Sequence, residues 1–196
     1  MMNAADEERN MMMSSFYAAK RARLNDWLRI RRLYFQAFPQ DERKPFGRII
    51  SMVRQGRSDV WCFFYQGRFA GFATTINGDG LVMIDYLAVA QPLRGQGVGT
   101  QALRTLCRAY PGQGVFVEIE SPFEQTEDAT ARLRRKAFYE RCGFIPSRTT
   151  ADVFGVRMEL MCHGCSVNFD TYHTFYKTQY SAWAAEHIKP APYPEG

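Results

Sequence analysis

The 196-residue chain is 46% hydrophobic and 14% aromatic, enough to bury a core without disulfide or metal staples. Its 23% charged residues and net charge of +5 exclude wholesale disorder, and no apolar run approaches the roughly 18 residues that span a bilayer. Residues 1–15 include Asp6, Glu7 and Glu8 and lack the basic-then-apolar order of a signal peptide, so a flexible leader and a cytoplasmic protein are expected.

In chain order, Phe16 to Arg23 reads as a weak first strand, and Asn25-Asp26 as a helix start. Apolar residues from Trp27 through Ile30, Leu33, Tyr34, Ala37 and Phe38 make a helical stripe that Pro39 stops. A short helix is expected over Pro45 to Gln55. Val60 to Tyr65 and Phe69 to Ile76 read as strands joined by a Gln66-Gly67 turn. Leu81 to Ala90 is a long apolar strand, followed by a glycine loop and a helix from Val98 to Tyr110. Val115 to Glu120 alternates, with Phe116, Glu118 and Glu120 on one face. A helix over Thr130 to Cys142 ends at Gly143. Two weaker strands follow, Arg148 to Phe154 and Val156 to Cys162. One last helix carries Phe169, Tyr172, Tyr176, Tyr180, Trp183 and His187 at steps of three and four, a stripe that suits core packing or a homodimer contact. Residues 190–196, with Pro190, Pro192 and Pro194, are expected to fray. The expected organisation is a single mixed α/β domain over residues 16–165, with the aromatic helix of residues 166–189 packed on it.

Five scattered cysteines do not make a disulfide framework. Cys162-His163-Gly164-Cys165 holds one CxxC, without the second pair that a zinc site wants, and no metal is expected. The basic residues cluster at Lys20 to Arg32 and Arg132 to Lys136; solvated helix faces account for them better than a nucleic-acid groove.

The segment with the clearest chemistry is strand, then Arg94-Gly95-Gln96-Gly97-Val98-Gly99, then helix. Residues without Cβ let backbone N–H groups converge on a phosphate, and the helix N-terminus adds its positive end. Arg94 adds a charge-assisted contact, and Thr100 a hydroxyl in the first turn. A P-loop requires a Gly-Lys-Ser/Thr that is absent, and the Rossmann spacing GxGxxG is not met.

This loop resembles the [RQ]xxGx[GA] signature of the GNAT superfamily of N-acetyltransferases. A second family mark lies downstream, where Phe138-Tyr139-Glu140-Arg141-Cys142-Gly143-Phe144 is similar to the FYxxxGF pattern that ends a helix. The resemblance implies an α/β fold with a central, mostly antiparallel twisted sheet flanked by helices, here with an extra C-terminal helix. It implies acetyl-CoA as co-substrate, with the backbone of Leu87, Ala88 and Val89 pairing the pantetheine arm. Arg94, Gly95, Gln96, Gly97, Val98, Gly99 and Thr100 would hold the pyrophosphate, and Tyr139 would serve as general acid at the thioester sulfur. Many family members carry Asn seven residues before this Tyr; here the position is Arg132, and Arg132 or Arg135 is expected to contact the CoA.

Acyl transfer to an amine also needs a proton acceptor, because an alkyl amine has a pKa near ~10.4. Glu118 is the preferred base, with Glu120 and Asp85 as alternatives. The expected activity is direct acetyl transfer to a primary amine of a small molecule or peptide. The alternatives are a catalytically silent CoA-binding regulatory module and a toxin-like acetyltransferase acting on aminoacyl-tRNA.

Overall fold

The computed structural model describes residues 17–40, 42–124 and 126–193. The expected leader lies outside them. Among the described residues eight strands, β1 (Tyr17–Arg21), β2 (Ser58–Tyr65), β3 (Arg68–Asn77), β4 (Leu81–Val89), β5 (Gly114–Glu120), β6 (Ile145–Val153), β7 (Val156–His163) and β8 (Ile188–Ala191), form a mixed sheet in the order β1-β2-β3-β4-β5-β7-β6-β8, flanked by helices. The β4–β5 pairing is parallel, whereas β1–β2, β5–β7, β6–β7 and β6–β8 are antiparallel. The chain divides into two compact units, residues 1–74 with 86–105 and residues 75–85 with 106–196.

The first unit holds β1 (Tyr17–Arg21), α1 (Trp27–Ala37), α2 (Phe46–Arg54), β2 (Ser58–Tyr65), most of β3 (Arg68–Asn77), the end of β4 (Leu81–Val89) and most of α3 (Val98–Ala109). The apolar stripe of α1 buries Ile30, Leu33 and Tyr34 against Val60, Phe72 and Tyr86. Tyr34 also fixes the α1–α2 connection, its hydroxyl donating to the Lys44 carbonyl at 2.8 Å. The Tyr86 hydroxyl accepts from Lys44 N at 3.0 Å and donates to the Glu42 carbonyl at 2.9 Å. Gly71 is required where it stands: a Cβ there would lie 2.3 Å from the Ala88 carbonyl oxygen.

The second unit holds residues 75–85, β5 (Gly114–Glu120), α4 (Ala129–Arg141), β6 (Ile145–Val153), β7 (Val156–His163), α5 (Phe169–Gln179), α6 (Ala182–Glu186) and β8 (Ile188–Ala191). The tail differs from expectation in two ways. The aromatic helix is broken: Ser181, in an extended conformation, ends the first run and caps the second by accepting from Ala184 N at 3.0 Å. Residues 188–191 pair with β6 as an eighth strand, where residues 188–189 were expected in the helix and 190–191 to fray, and Pro190 is tolerated because β8 is an edge. Tyr172, Phe175, Tyr176 and Tyr180 are buried, so this part of the stripe is core, while Trp183 is exposed.

Candidate active site

In the first unit β4 ends at Val89 and a 3-10 turn, Gln91–Leu93, leads to the glycine loop. Gly95 and Gly97 both adopt φ of 78°, a left-handed conformation costly for any other residue type. Two side chains brace the turn: Arg94 Nε donates to the Val89 carbonyl at 3.2 Å, and Gln96 Nε2 to the Pro92 carbonyl at 3.1 Å. Helix α3 opens at Val98, which is buried, and Gln101 N closes its first turn on the Gly97 carbonyl at 3.0 Å. No acidic residue occupies that first turn. The N–H groups opening a twelve-residue helix therefore meet glycine and an exposed Arg94, a cradle with positive potential and little side-chain bulk. The cradle fits a pyrophosphate.

Upstream, Ala88 is buried and Leu87 and Val89 are half-buried. The β4–β5 ladder runs from Leu81↔Gly114 to Ile84↔Val117, and residues 85–89 of β4 continue past it.

In the second unit Tyr139 lies on the last turn of α4, buried against the rings of Phe138 and Phe144. Burial pushes its phenol up to about 12. The helix stops in a Schellman arrangement: Phe144 N donates to the Tyr139 carbonyl at 3.1 Å and Gly143 N to the Glu140 carbonyl at 2.9 Å, with Gly143 at φ 88°. Gly143 supplies the left-handed residue this stop requires, and the rings of Tyr139 and Phe144 meet across it.

The three candidate carboxylates have different surroundings. Glu118 Oε1 accepts from the hydroxyls of Tyr172 and Tyr176 at 2.6 and 2.7 Å. Asp85 Oδ1 accepts from Tyr180 at 3.0 Å. Glu120 instead meets the guanidinium groups of Arg135 at 3.3 Å and Arg132 at 3.4 Å. Arg132 also pairs with Asp128 at 3.0 Å and donates to the Ser121 carbonyl at 3.3 Å. The expected cofactor contact by Arg132 therefore competes with acids of its own unit. The α5 tyrosines were not singled out from sequence as partners of these acids. Their i, i+4 spacing and an acid inside the apolar β4 were the available signal.

Beyond the end of β5 a cavity of about 220 Å³ is lined in part by Ser121, Phe123, Arg157 and Tyr193. Cys162 and Cys165 are both free thiols; the hydrogen bond between them, helped by burial, holds the Cys162 thiol far above its usual range. Among the described residues no group of three or more His, Cys, Asp or Glu is arranged to hold a metal, and no helix is long and apolar enough to cross a membrane.

The model of the acetyltransferase (GNAT) family matches residues 24–144, which include the cradle, Glu118 and the Tyr139 helix stop. The chain belongs to the GNAT acetyltransferase family. It is an acyltransferase by that membership. No curated protein matches the chain in sequence. Among solved structures, one described as a GNAT-family acetyltransferase from Bacteroides thetaiotaomicron aligns with a TM-score of 0.67 at 21% identity, covering 86% of this chain and 98% of that one. The ribosomal-protein-S18-alanine N-acetyltransferase from Escherichia coli aligns at 0.57 and 17% identity, covering 77% and 95%. Arabidopsis thaliana Naa50, bound to the bisubstrate analogue CoA-Ac-MVNAL, aligns at 0.55 and 16%, covering 76% and 99%. At these identities the likeness is one of fold.

Proposed function

We propose that this acetyltransferase moves the acetyl group of acetyl-CoA directly onto a primary amine of a small molecule or peptide. The observation that carries the reading is the cradle of Gly95, Gly97 and the α3 N-terminus beside Arg94. In this reading the cradle residues Arg94 to Thr100 hold the pyrophosphate, and the backbone of Leu87, Ala88 and Val89 pairs with the pantetheine. Acetyl-CoA supplies the activated acyl group.

The residues' work is proton management. In this reading Glu118 takes a proton from the ammonium, directly or through a water, and frees the nitrogen lone pair. The nitrogen–carbon bond forms, the carbon–sulfur bond breaks, and charge collects on sulfur. Tyr139, held near 12, is protonated throughout the neutral range. A thiol ordinarily titrates near ~8.5, so complete transfer from this phenol to the thiolate is uphill by about 3.5 pH units. The contribution of Tyr139 therefore lies in the hydrogen bond it donates as sulfur becomes anionic. The surplus proton on nitrogen leaves to solvent, and the thiolate collects its final proton there.

One structural neighbour is named for alanine of ribosomal protein S18, and another is bound to the bisubstrate analogue CoA-Ac-MVNAL. Peptide amines accordingly belong in the first acceptor panel. The test is calorimetric titration with acetyl-CoA of the wild-type protein and of Gly97→Trp, which fills the cradle. Binding lost in the variant supports the reading; no binding by either protein overturns it. Free-thiol detection with peptides beginning in Ala, Ser or Met, and with small polyamines, then separates peptide from small-molecule acceptors. Tight acetyl-CoA binding without turnover across that panel would favour a silent CoA-binding module.

A further inference from the structure

The second unit contains a feature the family match does not describe. Helix α5 starts at residue 169, beyond the matched segment, and its Tyr172 and Tyr176 form a row with Tyr180, the residue that follows the helix. Three anchors set the register of this row on the sheet. Asn168 caps the helix, accepting from Thr171 N at 2.9 Å. Phe175 packs edge-on against Phe116 at 5.1 Å. Gly78 leaves room for the Phe175 ring, which a Cβ would approach to 2.6 Å.

So placed, the row meets two carboxylates. Asp85 and Glu118 are the residues immediately after Ile84 and Val117, the last pair of the β4–β5 ladder. Glu118 meets the phenols of Tyr172 and Tyr176 from α5, and Asp85 meets that of Tyr180 just after the helix, with the charges of both acids acting on Tyr176 and Tyr180; the cross-strand partner of Glu118 on β7, Leu160, is apolar. Tyr172 is fully buried and Tyr176 nearly so. Their oxygen distances to Glu118, 2.6 and 2.7 Å, are those of hydroxyls bonded to an ionised carboxylate.

We propose that Tyr172 and Tyr176 are positioning residues for Glu118, their two phenols holding its carboxylate ionised and in one rotamer so that it is ready to accept the amine proton. The proposal rests on the reading of Glu118 as the base. Two donors on one oxygen favour the anion of this half-buried side chain. Burial and the nearby Glu118 charge keep both phenols protonated well beyond the usual tyrosine range, so neither donor is lost at any pH at which an enzyme works. The C-terminal helix thereby acts on the chemistry without touching the substrates.

Carbon-13 NMR of protein labelled at the glutamate carboxyls reads the titration of Glu118 directly, its resonance assigned by its loss in Glu118→Gln. Tyr172→Phe and Tyr176→Phe keep the rings and remove one donor each. Each is expected to shift the Glu118 midpoint to higher pH, the double variant further. Tyr180→Phe removes a similarly buried hydroxyl bonded to Asp85 and is expected to shift it less. In transfer assays with the amine panel above, the acidic limb of kcat/KM should move in the same direction. An unmoved midpoint in both single variants overturns the proposal and leaves the acetyl-transfer reading standing. Full transfer activity in Glu118→Gln overturns the base assignment and the proposal together, while acetyl-CoA binding, measured separately, is untouched.

Discussion

The carbonyl of Tyr139 accepts the backbone N–H of Phe144 at 3.1 Å, and the two rings meet edge to face with centroids 5.5 Å apart. The helix stop and the proposed hydrogen-bond donor are therefore one construction. Gly143→Ala forces an L-residue into φ of 88° and should cost about 1–2 kcal/mol, read as a lower urea midpoint. Tyr139→Phe preserves the ring contact and should fold normally. Its transfer rate should fall by roughly 10²–10³-fold with acetyl-CoA affinity unchanged by calorimetry. Wild-type rates from Tyr139→Phe would remove the tyrosine from the mechanism.

Gly71→Ala tests the close approach of β3 to Ala88. A Cβ at 2.3 Å from a backbone oxygen cannot be accommodated by a rotamer change, so the strand must shift. A loss of about 1–3 kcal/mol is expected in chemical denaturation. Weaker acetyl-CoA binding should accompany it, since the displaced backbone is that proposed for the pantetheine.

Lys136 Nζ lies 2.8 and 2.9 Å from the two carboxylate oxygens of Glu159, which has no solvent exposure, and the Tyr193 hydroxyl donates to the same group at 2.9 Å. Lys136→Met leaves a buried carboxylate with its cation removed and should cost ~3–5 kcal/mol in denaturant unfolding. A smaller loss would mean that solvent reaches Glu159 once the lysine is gone.

Arg132→Ala separates cofactor binding from internal pairing. With Asp128, Glu120 and the Ser121 carbonyl already around the guanidinium, acetyl-CoA affinity should stay close to wild type while stability falls. A tenfold loss of affinity, about 1.4 kcal/mol, would assign Arg132 to the CoA instead.

Alkaline pH should unfold this protein early. Tyr139 titrates at about 12 in the folded state against 10.0 unfolded, and burial holds Tyr172, Tyr176 and Tyr180 well above 10.0 as well. Above pH 10 the unfolded chain has released protons that the folded chain keeps. The stabilisation from Tyr139 is thus fully present below pH 10 and is lost as pH rises toward about 12, at roughly 1.4 kcal/mol per unit within that window. Melting temperature against pH, followed with phenolate absorbance, checks this; a flat profile past pH 10 would contradict it.

Local pattern made much of this legible in advance. The alternation of Val115 to Glu120, the apolar run of β4 and the glycine loop each announce themselves within a few residues, and the observed elements lie close to the expected bounds. The tail was less legible. Steps of three and four from Phe169 to His187 read as one helix, because the Ser181 cap competes with a continuing periodicity. Pro190 disguised β8, since proline signals a strand only when the strand is known to be an edge. The meeting of Tyr172 and Tyr176 with Glu118 depends on how α5 is registered across the sheet. That relation, between residues more than fifty positions apart, is written in packing at Phe116 and Gly78 rather than in any local run.

The short β8 strand also governs how the protein tolerates being shortened. Its four residues cover the backbone of Thr150 to Val153 on β6, and Pro190 contributes no N–H of its own to the outside. A chain cut before Ile188 would expose that row of β6 amides and carbonyls as a template for another copy, so C-terminal truncations should aggregate before they lose their fold.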